Sequence, residues 1–197
     1  MEEIYFVESL TNGRLREEVG DISLVAKEDR LCGEGTSVVM ASFTHISKDC
    51  PSRFTNGEYG VYYAARDIET AIEETAYHRE RFLSFTKEPS CKVTMRVYQS
   101  KNITKPLKDI RGEEYKALMS PNDYMECQKV GQKLKEMNSW GIVFPSVRKE
   151  GGECVAIFRP PAIPVPVNQT EHLEYVWDGS RIVACYKIGE ELRYRRK

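Results

Sequence analysis

Two apolar runs, Gly141 to Val147 and Glu153 to Phe158, are separated only by Arg148-Lys149-Glu150-Gly151-Gly152. Runs of strand length around a pair of glycines that can supply positive φ predict an antiparallel hairpin. A second hairpin is expected from Leu173 to Trp177 and Arg181 to Lys187, turning at Asp178-Gly179-Ser180. Val93, Met95 and Val97 alternate with Thr94, Arg96 and Tyr98, the period of a half-buried strand. Val38 to His45, β-branched and apolar between turn signals, reads as a buried strand, and Gly57, Tyr59 and Gly60 lead into another from Val61 to Ala64.

Helices are fewer. Asp67 can cap one that runs to about Phe85, with Ile68, Ala71, Ile72, Thr75, Phe82 and Leu83 on one face. Ser120-Pro121-Asn122-Asp123 is a start signal for another that ends near Met137. The proline-rich stretch from Arg159 to Pro166 is expected to cross the surface extended. Short strands with interspersed helices and no regular β-α alternation indicate an α+β fold. With no internal repeat, low-complexity tract or long linker, one domain is expected: a polar extension over 1–35, a core over 36–160, and a C-terminal extended segment and hairpin over 161–197.

The 197 residues carry 29 Lys and Arg against 30 Asp and Glu, a net charge of −1, without the basic excess of a nucleic-acid binder. No apolar run approaches the roughly 18 residues of a membrane span, and the acidic start Met1-Glu2-Glu3 lacks the positive region of a secretory signal. A cytoplasmic protein that touches neither membrane nor nucleic acid is expected. Six cysteines without a C-x-x-C pair, and three histidines, indicate neither a zinc site nor a disulfide framework.

The sequence has no P-loop, G-x-G-x-x-G, H-E-x-x-H or G-x-S-x-G signature. What chemistry it carries is spread along the chain. Glu74 and His78, four residues apart, share a helix face at the edge of the apolar stripe, where side chains can face a cleft. Arg53 sits in a small-residue loop, a place from which a guanidinium can clamp phosphate oxygens in a bidentate manner. Tyr62 and Tyr63 point to opposite faces of their strand, leaving one for the core and one for a ligand ring. Ser146 ends an apolar strand. Taken singly, these read as a solvated stripe, a turn arginine and a turn serine.

Taken together, Arg53-Phe54, Gly60-Val61-Tyr62-Tyr63-Ala64-Ala65, Thr70-Ala71-Ile72-Glu73-Glu74 with His78, Gly141 through Arg148, and Gly151 through Phe158 resemble the RES domain over roughly residues 36 to 160. The resemblance implies an ADP-ribosyltransferase-like split β-sheet core with flanking helices. It also implies that NAD is the substrate and not a cofactor, that no metal is used, and that the chain is the toxin of a pair whose antitoxin is an Xre-type helix-turn-helix protein. By position, Arg53, Glu74 and Ser146 match the family's arginine, glutamate and serine, Tyr63 its strand tyrosine, and His78 a histidine one turn beyond the glutamate. A further family arginine on the preceding strand has no counterpart between Val38 and His45, so His45, or Thr44 beside it, is expected in its place. The family's Gly-Gly-Arg-Trp-Asn loop is here Pro51-Ser52-Arg53-Phe54-Thr55-Asn56.

The implied chemistry suits these residue types. Cleaving the nicotinamide-ribose bond builds oxocarbenium character on the ribose, which a carboxylate such as Glu74 stabilises. Arg53 would hold the pyrophosphate, Tyr63 would orient the nicotinamide, and Ser146 would bond the carboxamide or ribose. Water, inorganic phosphate and a protein side chain all remain open as acceptors, giving an NAD glycohydrolase, an NAD phosphorylase or a protein ADP-ribosyltransferase. The rivals are a nucleotide-binding module without turnover and an RNase.

Overall fold

The computed structural model describes residues 20–49 and 51–188. Among these residues the fold is α+β, with two separate sheets and three α-helices. The helices are α1 (Ser37–Thr44), α2 (Ile68–Thr86) and α3 (Met125–Glu136). The strands are β1 (Tyr62–Ala65), β2 (Cys91–Gln99), β3 (Lys108–Asp109), β4 (Gly141–Pro145), β5 (Glu153–Ile157), β6 (Asn168–Trp177) and β7 (Ile182–Ile188).

The first sheet has the order β1-β5-β4-β3, antiparallel except for the β3–β4 pair. The expected central hairpin is its core, with Val143 opposite Val155. Because side chains alternate across a strand, β5 sends Cys154 and Ala156 to one face and Val155 and Ile157 to the other. The first face packs with Phe54, Ile142, Phe144 and Cys127 of α3, the second with Val39, Met40 and Phe43 of α1. Both faces are therefore covered, and this is why the two runs are continuously apolar. Asp29 accepts two hydrogen bonds from Arg159, at 2.8 and 2.7 Å, tying the turn over Lys27–Asp29 to the end of this hairpin.

The second sheet, β2-β6-β7, is antiparallel and includes the second expected hairpin. Helix α2 is fixed to both sheets. Its Thr75 hydroxyl meets the Tyr175 hydroxyl of β6 at 2.7 Å, and its Glu80 accepts from the Ile182 amide of β7 at 2.7 Å. At its N-terminus Asp67 caps the Thr70 amide at 2.8 Å and pairs with Lys149, in the β4–β5 connection, at 3.1 Å.

Four expectations need correction. Residues Val38 to His45 are not a strand, since Ser37–Thr44 is helical and buries Val39, Met40, Phe43 and Thr44, an i, i+1, i+4, i+5 pattern that one helix face satisfies. Packing thus overrides the β-propensity of Val38 and Val39. Helix α3 begins five residues after Ser120. The intervening carbonyls of Ser120 and Pro121 accept from Arg53 and Arg148 instead, while the Ser120 hydroxyl still accepts from the Asp123 amide at 3.1 Å. The Arg159 to Pro166 stretch contains a 3₁₀ turn at Pro160–Ala162, with Pro160, Ala162 and Ile163 buried; prolines are tolerated there because first-turn amides have no intrahelical partner. The stripe expected to bury one face of α2 is divided, with Leu83 buried but Ile68 and Phe82 exposed, because the helix is gripped on two flanks. Residues 1–19 of the polar extension lie outside the described residues.

Candidate active site

Where α2 crosses the edge of the first sheet, a cavity of about 350 Å³ opens between them. Strand β1 contributes Tyr63, Ala64 and Ala65, α2 contributes Ala71, Glu74, Thr75 and His78, and the preceding loop contributes Ser52 and Arg53. Tyr124, Phe144 and Cys154 complete its wall.

Arg53 is 7% exposed, a charged side chain almost withdrawn from water. Its Nη1 donates to the Ser120 carbonyl at 2.9 Å, and its guanidinium lies over the Tyr124 ring, 4.5 Å from the centroid. Among the described residues no carboxylate comes within 4.0 Å of it. Burying a cation without an anion is costly, so such groups normally pair. The loop that carries Arg53 is fixed by a close approach. Gly131 of α3 lies against the Phe54 backbone, where a Cβ would collide with the Phe54 carbonyl.

Glu74 projects from α2 into the same cavity, and its Oε1 accepts from the Ser146 hydroxyl at 2.6 Å. Ser146 stands just after β4, 72 residues along the chain, and itself accepts from the amides of Arg148 and Lys149 at 3.1 and 3.0 Å. Tyr63 is 38% exposed through its ring, while its hydroxyl is enclosed. That hydroxyl accepts from the Phe54 amide at 3.0 Å and bonds the Ser52 hydroxyl at 2.8 Å. Burial pushes the phenol up to about 12, against the lowering effect of those two bonds. The ring face is therefore what Tyr63 offers a ligand.

His78 lies one turn beyond Glu74. Desolvation is the main cause that moves its imidazole below the usual value; Glu74 opposes this, and Arg148, Arg81 and Arg53 add to it. Its ring meets that of Tyr77 edge-on at 5.4 Å, and Arg148 stacks on the other partner of this group, 3.3 Å from the Tyr77 centroid. Cys154, though in the wall, is held as a thiol, pushed up to about 12 by burial and then by Glu74, so it is no nucleophile.

The structure brings Arg53, Tyr63, Glu74 and His78 around one cavity, with Ser146 behind Glu74. His45 is not with them. It is the exposed C-cap of α1, 3.3 Å from the Thr44 hydroxyl, and the change from strand to helix is what removes it from the cavity wall. Sequence reasoning missed Tyr124, whose only signal is its position beside the helix-start motif, and the Tyr77–Arg148 stack, which carries no local signal at all. Among the described residues no three His, Cys, Asp or Glu side chains converge to hold a metal ion, and no helix is long and apolar enough to cross a membrane.

The chain is 26% identical over 199 residues to the uncharacterised protein y4oC of Sinorhizobium fredii (strain NBRC 101917 / NGR234), covering 98% of this chain and 80% of that one. A solved structure similar in part is that of the M. tuberculosis MbcT-MbcA toxin-antitoxin complex, at 11% identity and a TM-score of 0.42 over 65% of this chain and 72% of that one. The RES domain profile matches residues 28–178, a span that contains the whole cavity, and the chain belongs to the RES domain family.

Proposed function

We propose that this protein cleaves NAD at the nicotinamide-ribose bond and acts as the toxin of a toxin-antitoxin pair. The observation that carries the reading is the cavity's two opposite charges that do not pair with each other. Arg53 is buried without a carboxylate, and Glu74 is bonded to a neutral hydroxyl. A dinucleotide supplies what each lacks: a pyrophosphate for the guanidinium, and for the carboxylate a ribose that becomes cationic. Family membership points to the same substrate.

In this reading the nicotinamide rests on the Tyr63 ring face with its ribose over Glu74. The C–N glycosidic bond breaks, its electron pair leaves with nicotinamide, and the pyridinium becomes neutral. The positive charge passes to the ribose, where the Glu74 carboxylate, in a walled cavity of low dielectric, stabilises it more than bulk water would. With its imidazole held below the usual value, His78 is neutral at pH 7 and adds no opposing charge. Water or inorganic phosphate then attacks the anomeric carbon, yielding ADP-ribose or its 1-phosphate. Transfer to a protein side chain is the second acceptor class.

Purified protein is to be incubated separately with NAD and with total RNA, and NAD reactions run with and without inorganic phosphate. Release of nicotinamide with RNA left intact is expected. Intact NAD would overturn the enzyme reading in favour of a binding module, and degraded RNA would favour the nuclease. The partner that restrains the enzyme is proposed to be a helix-turn-helix antitoxin, as in the family.

A further inference from the structure

The Ser146 hydroxyl has one hydrogen to donate and two lone pairs. Both lone pairs are taken, by the amides of Arg148 at 3.1 Å and Lys149 at 3.0 Å. Amides can only donate, so the hydroxyl hydrogen goes to an acceptor, and the Glu74 carboxylate at 2.6 Å takes it in preference to the neighbouring Cys154 sulfur, a weak acceptor. The direction of this bond follows from the two amides and not from an assumed hydrogen position. The serine's own backbone amide is engaged as well, donating to the Gly152 carbonyl at 2.8 Å. No capacity remains with which Ser146 could bond a substrate.

Glu74, by contrast, is half engaged. Among the described residues its Oε1 takes the Ser146 bond and its Oε2 takes none. Ser146 and Asp67–Lys149 together fasten the β4–β5 connection to α2 at two points two turns apart, so the carboxylate is aimed by a rigid clasp.

We propose that Ser146 is a positioning residue. It fixes one Glu74 oxygen so that the other faces the ribose, and it makes no bond to NAD. This departs from the substrate-contact role expected from the sequence, and it rests on the NAD-cleaving reading of the cavity.

The test compares Ser146→Ala, Ser146→Thr and wild type in steady-state NAD cleavage, alone and in a Glu74→Gln background. A donor to a carboxylate is a charge-assisted bond whose loss reads as about a 10- to 100-fold effect. Ser146→Ala should lower kcat by that factor with KM for NAD within about twofold, since Ser146 makes no bond to NAD and its loss weakens what the misaimed Glu74 carboxylate does for the transition state. Ser146→Thr, which keeps the hydroxyl, should recover most of the activity. In the Glu74→Gln background, Ser146→Ala should cost little more, because both changes act through one carboxylate. A raised KM with unchanged kcat, or full additivity of the two losses, overturns the positioning role while leaving NAD cleavage in place. If Ser146→Ala fails to fold, a Ser146→Thr variant that loses kcat as completely as Glu74→Gln also overturns it. Wild-type protein that leaves NAD intact overturns the cavity reading and this inference with it.

Discussion

Glu73 and Glu74 are neighbours in sequence and point about 100° apart around α2, so substituting each in turn separates a site from a surface. Glu74→Gln keeps shape and hydrogen-bonding atoms but removes the charge proposed to face the ribose. NAD cleavage is expected to fall by about 10²-fold or more with the thermal midpoint unchanged, and Glu73→Gln, on the exposed side, is expected to be silent. Arg53→Ala should weaken NAD binding by about 10- to 100-fold in calorimetry, the range for a charge-assisted pair. Arg53→Lys should recover only part, since an ammonium restores the charge without the fork or the planar stack on Tyr124. His78 gives a pH signature. Its folded-state value lies below the roughly 6.5 of an unfolded chain, so below that pH the unfolded state binds the proton that the folded state refuses, and stability declines as pH falls through the folded value. His78→Gln lacks this slope. Its thermal midpoint should drop less than that of wild type between about pH 7 and 5.5, and parallel curves would remove the assigned desolvation.

The elements that hold these residues were unevenly legible in the sequence. The β4–β5 hairpin and α2 carry their own local instructions, the paired glycines in one and the Asp67 cap in the other, and both form where expected. Helix α1 does not, because its valines favour a strand and only the burial pattern at 39, 40, 43 and 44, set by the sheet it covers, makes it helical. The Arg53 loop depends on α3 in a similarly non-local way. Gly131 costs α3 helix propensity, about 1 kcal/mol relative to alanine, yet it allows the Phe54 backbone to lie against the helix. Gly131→Ala gains that propensity and loses the close approach. The obstacle is backbone, which cannot swing aside, and overpacking typically costs about 1 to 3 kcal/mol. Net destabilisation in chemical denaturation is therefore expected, together with weaker NAD binding as the Arg53 loop moves. A stabilised variant with normal affinity would show that the contact yields freely.

At the scale of the whole molecule, the cavity's residues come from positions 52 through 154 and meet only because α2 is gripped between two sheets. No single motif could reveal that convergence; the order of several did, and their failure at His45 follows from α1 being a helix. The same architecture bears on how the proposed activity would be restrained. An enzyme that consumes a central cofactor inside the cell needs a stoichiometric block. A cavity with a buried cation and a carboxylate is most simply blocked by a polar segment of a partner inserted where NAD would sit. Inhibitor and NAD then compete, so saturating NAD should weaken the complex by linkage. Expressed alone, the chain should stop growth with a fall in intracellular NAD. Co-expression with the proposed helix-turn-helix antitoxin should restore both, and Glu74→Gln should be harmless at equal protein level without any partner. The measurement is growth and NAD content followed together in the same cultures. Normal growth with unchanged NAD, while folded wild-type protein accumulates alone, would refute the toxin role; arrested growth with NAD unchanged would place the toxicity in a different reaction.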